Sequence, residues 1–171
     1  MTVNWFWIIA SIVVLSFGLG AFLGAPWVPA FRQDFDELFD LAGVKKGTKF
    51  VDLGCGDGKV LAAAARRGAI VTGFEVNPLL WLIARARLLR YGKRAKVYLR
   101  SFWAVDIGKF DVVYFYLIHH HMPRMRAQLM RQLEPDTKVI SYMFAFEGVA
   151  PIKTTRNSFL YELASFGKVE E

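Results

Sequence analysis

Residues 51–60 read VDLGCGDGKV, in which an apolar run leads into glycines at every second position, Gly54, Gly56 and Gly58. Asp52 stands directly before these glycines. Glycine adopts backbone conformations that other residues resist, and it leaves room for a ligand to approach the main chain. The stretch therefore predicts a strand that ends in a ligand-binding loop, with a helix beginning behind the loop.

Strand and helix patterns alternate on both sides of this loop. Helical patterns occur at residues 31–44, 59–67, 78–90 and 124–133. Short apolar runs typical of strands occur at residues 50–54, 69–75, 95–100, 110–118, 138–146 and 157–163. Because alternation of this kind builds parallel sheets, the sequence predicts an α/β, Rossmann-like sheet with helices on both faces. Its C-terminal strands are expected to be abbreviated.

The spacing of the glycines separates this loop from two phosphate-binding loops. A P-loop requires GxxxxGK followed by Ser or Thr, whereas Val60 follows Gly58 and Lys59 here. A dinucleotide fingerprint requires GxGxxG, and lysine occupies the position of its last glycine. The acid at position 52 is poorly placed beside a pyrophosphate, but it suits a cationic group such as an amino acid ammonium.

The predicted second strand ends in Glu75. A carboxylate there has two acceptor oxygens and can take both hydroxyls of a ribose. A ligand with an amino acid end and an adenosine end satisfies Asp52 and Glu75 together, which indicates S-adenosylmethionine. The alternative is a tight turn with a purely structural role. Cys55, between two glycines, is interpreted as a small packing residue.

VDLGCGDGKV followed by GFEVNP resembles the class I S-adenosylmethionine-dependent methyltransferases. More narrowly, PWVPA at 26–30, LGCGDGK and FEVNPLLWLIARAR are similar to membrane-anchored protein-lysine methyltransferases. Members of that group modify the mitochondrial adenine nucleotide translocase and the ATP synthase c-subunit, and short prokaryotic relatives exist. The resemblance implies a methyltransferase domain over residues 48–171, preceded by a connector and lid helix over residues 26–47.

The resemblance also implies roles for individual residues. The glycine loop would line the methionine end of the cofactor, Glu75 would hold the ribose, and a lid would include Pro29. Methyltransferases often place an acid near the adenine after the third strand, but here Phe102 stands there and could stack on the base. The implied cofactor-binding set is Asp52, Gly54, Gly56, Asp57, Gly58, Glu75, Asn77, Phe102 and Pro29.

The end of the fourth predicted strand should face the methyl acceptor. A lysine acceptor, with an ordinary pKa of about 10.4, must lose its proton first, and a dry aromatic channel favours the neutral amine. Tyr116 and His119 are our candidates for lining that channel. The three successive histidines at 119–121 point in different directions, so we expect loop or helix-cap residues. A proton acceptor is the alternative, and we expect no metal site.

The N-terminal residues 1–31 carry no charged side chain. Residues 5–24 would form a helix about 30 Å long, close to the hydrocarbon thickness of a bilayer. We therefore expect a transmembrane helix over residues 4–25. A cleaved signal peptide usually begins with basic residues, and none occurs here. A buried core helix or a re-entrant segment is usually shorter than this uncharged stretch. Lys and Arg follow the span and none precedes it, which places the methyltransferase domain on the cytoplasmic side of the membrane.

The chain has a net charge of +7, and its basic residues are concentrated between Arg85 and Arg100, where no acid occurs. This segment could be a solvated helix face, a contact for anionic lipid headgroups, or a binding site for nucleic acid or an acidic partner. The DPPY-like motif of enzymes that methylate amino groups of bases is missing after the fourth strand, which argues against nucleic acid as the substrate. The charge of this segment does not by itself distinguish a solvated helix face from a contact with anionic lipid or with an acidic partner.

Together these features predict a single-pass membrane methyltransferase whose substrate is a lysine on a membrane or membrane-adjacent protein. One alternative is methylation of a lipid-soluble small molecule, such as a quinone or a lipid headgroup. The other is a catalytically silent cofactor-binding module that acts through interactions, because binding of a cofactor does not by itself establish turnover.

Overall fold

The computed structural model describes residues 4, 5, 7 and 33–167. The strands are β1 (Lys49–Leu53), β2 (Ile70–Glu75), β3 (Ala95–Leu99), β4 (Val112–Phe115), β5 (Lys138–Tyr142), β6 (Lys153–Thr154) and β7 (Ser158–Glu162). The α-helices are α1 (Gln33–Leu41), α2 (Lys59–Arg66), α3 (Pro78–Leu88) and α4 (Met122–Gln132). Short 3-10 turns occupy Leu89–Arg94, Phe102–Ala104, His119–His121 and Leu163–Gly167.

The strands form one seven-stranded sheet in the order β3-β2-β1-β4-β5-β7-β6. Strands β1 to β5 are parallel, and β7 runs antiparallel to both β5 and β6. The chain builds outward from β1 to β3 and then returns to place β4 on the other side of β1. This reversal creates a switch point between β1 and β4, where α/β sheets bind ligands beyond the carboxyl ends of their strands. The predicted α/β, largely parallel sheet is confirmed.

Two apolar cores cover the two faces of the sheet, as predicted. On one face the side chains of α1, α2 and α3 pack against β1, with the Phe39 and Phe50 rings 5.5 Å apart. On the other face α4 and the C-terminal 3-10 turn pack against β4 and β5, with Met125 and Phe166 fully buried. Burial on both faces explains why the sequence of β4 is continuously apolar.

Helix α1 belongs to the segment expected to be a connector and lid. Its Phe35 and Leu38 side chains are buried in the first core. On its outer side Asp36 and Asp40 form ion pairs with Arg67, which follows α2. The helix is therefore a fixed part of the core. The earlier part of the segment, including Pro29, lies outside the described residues.

Several predicted strands differ from the observed ones in extent. The strand expected at 110–118 is shorter, since β4 ends before the 3-10 turn that contains the histidines. The strand expected at 138–146 ends at Tyr142, because Met143 has a φ of 70°, which a strand does not accommodate. The C-terminal strands were expected to be short. This is true of β6, which has two residues, whereas β7 has five. Strand β6 was not predicted, because two residues carry no periodic pattern.

The predicted transmembrane helix over residues 4–25 lies outside the described residues, apart from Asn4, Trp5 and Trp7. Within the part of the chain that the structure describes, no helix combines the length and the hydropathy needed to cross a bilayer. All strands of the described sheet lie within residues 49–162. The bounds of the methyltransferase domain, residues 48–171, stay a prediction.

Candidate functional site

The glycine loop leaves β1 and folds against the end of β2. The backbone N–H groups of Gly54 and Cys55 both donate to the carbonyl of Phe74, at 2.9 Å each. The glycines at 54, 56 and 58 have φ values of 93°, 53° and 75°, a region that side chains disfavour. The three glycines are therefore required by the curvature of the loop.

Two of these glycines also create space. A Cβ at Gly58 would lie 3.0 Å from the Ala84 Cβ, so glycine allows α3 to approach the start of α2. Among the described residues, a Cβ at Gly54 would meet the ring of Phe102, at 3.9 Å. Within residues 33–167, the space beside Gly54 is thus bordered by Phe102 and leaves room for a ligand.

Glu75 joins the loop to the end of β2. Its Oε2 accepts a hydrogen bond from the Gly56 N–H, and its Oε1 accepts from the N–H groups of Val76 and Asn77, all at 2.8 Å. The residue is 7% exposed. A carboxylate offers about four acceptor positions. Glu75 therefore fixes the loop and retains acceptor capacity for a ligand hydroxyl.

Asn77 is the N-cap of α3, with Pro78 in the first turn. Its Oδ1 accepts from the N–H groups of Leu79 and Leu80, at 2.9 and 3.2 Å. This satisfies donors that the first turn of a helix leaves unpaired. Asn77, a member of the implied cofactor-binding set, is thus buried two residues after Glu75 and holds the start of α3 in place.

Asp52 is the most buried carboxylate of the site, at 2% exposure. It lies in β1 between Gly73 of β2 and Tyr114 of β4. Burial, followed by the negative charges of Glu75 and Asp57, raises its pKa well above the ordinary value. Among residues 33–167 no donor forms a hydrogen bond with its carboxylate. A buried carboxylate without a partner is costly, and a cationic ligand would offset that cost.

Asp57, in contrast, is neutralised by the protein. Its Oδ2 lies 3.2 Å from the Lys59 Nζ and 3.1 Å from the Arg87 Nη2. These two ion pairs hold the loop against α2 and α3. Sequence reasoning placed Asp57 in the cofactor set without identifying the partner on α3.

Phe102 occupies the turn after β3, next to the glycine loop. Its ring centroid is 4.6 Å from that of Trp103, and its carbonyl accepts a hydrogen bond of 3.1 Å from the Gln128 Nε2. Sequence reasoning missed Gln128, a buried amide on α4 that fixes this turn. The available signal was a polar residue at an otherwise apolar helical position.

The carboxyl ends of β4 and β5 carry an aromatic cluster. The half-buried ring of Tyr116 stacks on Phe144, with centroids 6.2 Å apart, and meets Tyr142 edge-on at 5.9 Å. The register that pairs Phe115 with Ser141 brings these segments together. The role of Tyr116 in an acceptor channel stays a prediction. The contact of its ring with Tyr142 and Phe144 was not predicted, because it depends on strand register.

The three histidines form the 3-10 turn that leads into α4. His119 and His120 are exposed, and His121 is the N-cap position of α4 without a side-chain capping bond. The ring of His121 lies 6.0 Å from that of Trp103. In the described residues no group of three His, Cys, Asp or Glu side chains could hold a metal ion. The role of His119 in the acceptor channel stays a prediction.

The structure thus brings the glycine loop, Asp52, Glu75 and Phe102 to one end of the sheet, beside the switch point. An antiparallel seventh strand inserted next to β5, with an acid before a glycine loop and an acid ending β2, defines the class I methyltransferase fold. Residues 52–153 match the family described as the ANTKMT methyltransferase domain, and the chain belongs to this family.

Similar proteins include two protein-lysine methyltransferases. The chain is 32% identical over 132 residues to the human lysine N-methyltransferase of the ATP synthase c-subunit, and the match covers 76% of the chain and 56% of the human protein. It is 29% identical over 130 residues to a protein-lysine N-methyltransferase of Saccharolobus islandicus, with 74% and 81% covered. The chain therefore spans little more than half the length of its human relative.

A solved structure shows the same fold. An RNA methyltransferase from Salinibacter ruber, in complex with S-adenosyl-L-homocysteine, superposes with a TM-score of 0.75 at 29% identity. The match covers 80% of the present chain and 94% of the Salinibacter chain. The chain thus shares its fold with a methyltransferase of known structure.

Proposed function

We propose that the chain is an S-adenosylmethionine-dependent methyltransferase that acts on lysine side chains of a membrane or membrane-adjacent protein. The observation that carries this proposal is the buried carboxylate of Asp52, which lacks a partner among the described residues and borders the open glycine loop. The names of the human and Saccharolobus relatives support lysine as the acceptor.

The residues of the loop fit the cofactor chemically. Asp52 offers a negative charge to the cationic methionine end, and Glu75 offers its remaining acceptor capacity to the ribose. Phe102 supplies an apolar wall beside Gly54. S-adenosylmethionine, when bound, supplies a methyl group already activated on a sulfonium, so the protein contributes mainly position and orientation.

The aromatic cluster of Tyr116, Tyr142 and Phe144 is proposed to receive the acceptor lysine. Aromatic walls limit water and stabilise the neutral amine relative to the ammonium, which is the form able to attack a methyl group. His119, exposed on the turn beyond Tyr116 in the sequence, is a candidate to pass the lysine proton to bulk water.

Placement at a membrane is part of the proposal. The charge-free residues 1–31 and the basic residues that follow support a single span over residues 4–25 with the methyltransferase domain on the cytoplasmic side. A mouse relative is named adenine nucleotide translocase lysine N-methyltransferase, at 29% identity over 133 residues. A membrane protein would be presented to a tethered domain at a high effective concentration.

A second candidate function is methylation of RNA. The Salinibacter protein carries that activity in its name, and it matches the present chain over nearly its full length. The basic segment from Arg85 to Arg100 is compatible with a polyanion. The missing DPPY-like motif after β4 makes the lysine substrate the better supported of the two.

The experiment is a transfer assay with the full chain, labelled S-adenosylmethionine and membranes from cells that lack the chain. We expect label in protein, located by mass spectrometry as mono-, di- or trimethyl-lysine, and much less label with an Asp52→Asn chain at a limiting cofactor concentration. Label in RNA would favour the second candidate, and label in the lipid fraction would favour a small-molecule acceptor. Cofactor binding without any labelled acceptor would indicate a silent binding module.

A further inference from the structure

The net positive charge of the chain equals the charge of one short segment. Seven basic residues and no acid lie between Arg85 and Arg100, and seven is also the net charge of the chain. The remaining residues are therefore neutral in sum. In the fold the basic segment comprises the second half of α3, the 3-10 turn Leu89–Arg94 and the edge strand β3.

Helix α3 is apolar on its outer side as well as on its inner side. Leu80, Ala84 and Leu88 face the core and are buried. The outward positions at helical spacing are also aliphatic, and Leu82 and Leu89 are 57% and 73% exposed. A surface helix of a water-soluble domain normally has a polar outer face. The exposed aliphatic residues of this outer side are Leu79, Leu82, Ile83 and Leu89.

Cations border this apolar stripe. The Arg85 guanidinium lies 5.0 Å from the Trp81 ring centroid, and the Arg90 guanidinium lies 5.0 Å from that of Tyr91. Beside the stripe, a groove of about 350 Å³ between the end of α3 and β3 has Lys96 in its lining. Positive charge and exposed aliphatic surface thus occur together, and residues 33–167 leave the aliphatic side chains of this stripe exposed.

We propose that this α3 outer surface, formed by residues 79, 82, 83 and 89 with the cations at 85, 90, 93 and 96, rests on a bilayer that contains anionic lipid. Aliphatic side chains enter the interface while flanking Lys and Arg remain at headgroup depth. Each cation is attracted by the negative surface potential of such a leaflet. Single-stranded nucleic acid would instead require exposed aromatic stacking platforms, whereas this stripe is aliphatic.

The proposal is independent of methyl transfer, so it is tested without an activity measurement. The full chain is placed in lipid nanodiscs of phosphatidylcholine, with and without phosphatidylglycerol, and amide hydrogen exchange is followed by mass spectrometry. We expect amides in residues 79–94 to exchange several-fold more slowly in the anionic discs. Amides of β7 serve as the internal reference and should not change.

Two sets of variants separate charge placement from total charge. Arg85→Gln, Arg90→Gln and Lys93→Gln together should abolish the protection. The matched control is Arg131→Gln, Lys153→Gln and Arg156→Gln, which removes the same charge from other exposed positions and should retain it. Leu82→Ser with Ile83→Ser leaves the charge unchanged and should weaken the protection. Circular dichroism melting of each variant confirms that the domain is folded.

Three results would overturn the proposal. Equal protection in neutral and anionic discs would show that the cations do not select the lipid. Protection in lipid-free detergent would show that another part of the chain covers the surface. Protection by a single-stranded RNA oligomer but not by anionic discs would assign the surface to nucleic acid.

Discussion

The two halves of the site are built from different chemistry, although both lie at the carboxyl ends of parallel strands. At β1 and β2, backbone N–H groups donate to the Glu75 carboxylate and close the loop around it. The buried Asp52 carboxylate beside it takes no part in these hydrogen bonds. At β4 and β5, the rings of Tyr116, Tyr142 and Phe144 pack on one another. The first half is suited to hold a charged ligand, and the second half to exclude water from a neutral one.

The two halves also differ in their cost to the fold. The aromatic cluster stabilises the protein by packing, whereas burial of Asp52 favours its protonated form. Because its pKa in the native state is raised, the native state binds more protons than the unfolded state between the two pKa values. Its contribution to stability is therefore lost as pH rises through the native-state pKa. The carboxylate suited to bind the cofactor thus lowers the stability of the cofactor-free protein once it is ionised.

The largest effect is expected for Glu75→Ala, which tests whether the first half is one connected unit. The change removes the acceptor of three backbone N–H groups, each of which costs about 1–3 kcal/mol when left buried and unpaired. We expect a lower melting temperature and an affinity for S-adenosylmethionine at least about 100-fold weaker, as expected when several hydrogen bonds are lost together. Calorimetry measures both quantities.

Glu134→Ala, at an exposed position after α4, is the control for Glu75→Ala and should behave as wild type. Normal cofactor binding in the Glu75→Ala chain would contradict the assignment of this acid to the ribose.

A large effect of mixed sign is expected for Asp52→Asn. The affinity for the cationic cofactor should fall by about tenfold or more, the effect of losing roughly 1.4 kcal/mol or more of charge interaction. The melting temperature without cofactor should rise by a few degrees, because a buried charge is removed. The gain should be larger at pH 8 than at pH 5, since the wild-type carboxylate ionises as pH rises through its raised pKa.

Thermal melts and binding titrations at both pH values check the Asp52→Asn prediction. The matched control is Asp57→Asn. The Asp57 carboxylate is paired with Lys59 and Arg87, so removal of its charge should destabilise the loop. A lower melting temperature in the Asp52→Asn chain would show that this carboxylate has a stabilising partner.

A moderate effect confined to turnover is expected for Tyr116→Ala. Loss of the ring opens the aromatic cluster to water, so kcat should fall by about tenfold, within the range for impaired orientation, while the Kd for the cofactor is unchanged. Tyr116→Phe keeps the stacking on Phe144 and should retain most of the activity. If Tyr116→Phe were as impaired as Tyr116→Ala, the hydroxyl rather than the ring would carry the function.

The smallest effect is expected for His119→Gln. The imidazole is exposed, and bulk water can replace it as a proton acceptor. We expect kcat to fall by no more than about threefold, well below the 10²–10⁴-fold contribution of a positioned general base. Steady-state rates measured across pH test this, and a hundredfold loss would identify His119 as a general base.

The sequence could predict the first half because its parts are close along the chain. The glycine loop and Glu75 lie within one β-α-β unit, and their spacing alone separates them from phosphate loops. The second half could not be predicted in full, because the approach of Tyr142 and Phe144 to Tyr116 depends on the register of β4 and β5. The end of β5 could not be predicted either, since no sequence signal indicates the positive φ of Met143.

The outer strands of the sheet have a consequence for the behaviour of the domain in a crowded cell. An exposed strand edge offers unpaired backbone groups to other chains and invites aggregation. One edge here is β6, which has only two residues, and the other is β3, which carries Lys96 and is followed by Arg100. Neither of these two edges offers a long, uncharged template, so the sheet formed by the described residues resists templated growth into fibrils.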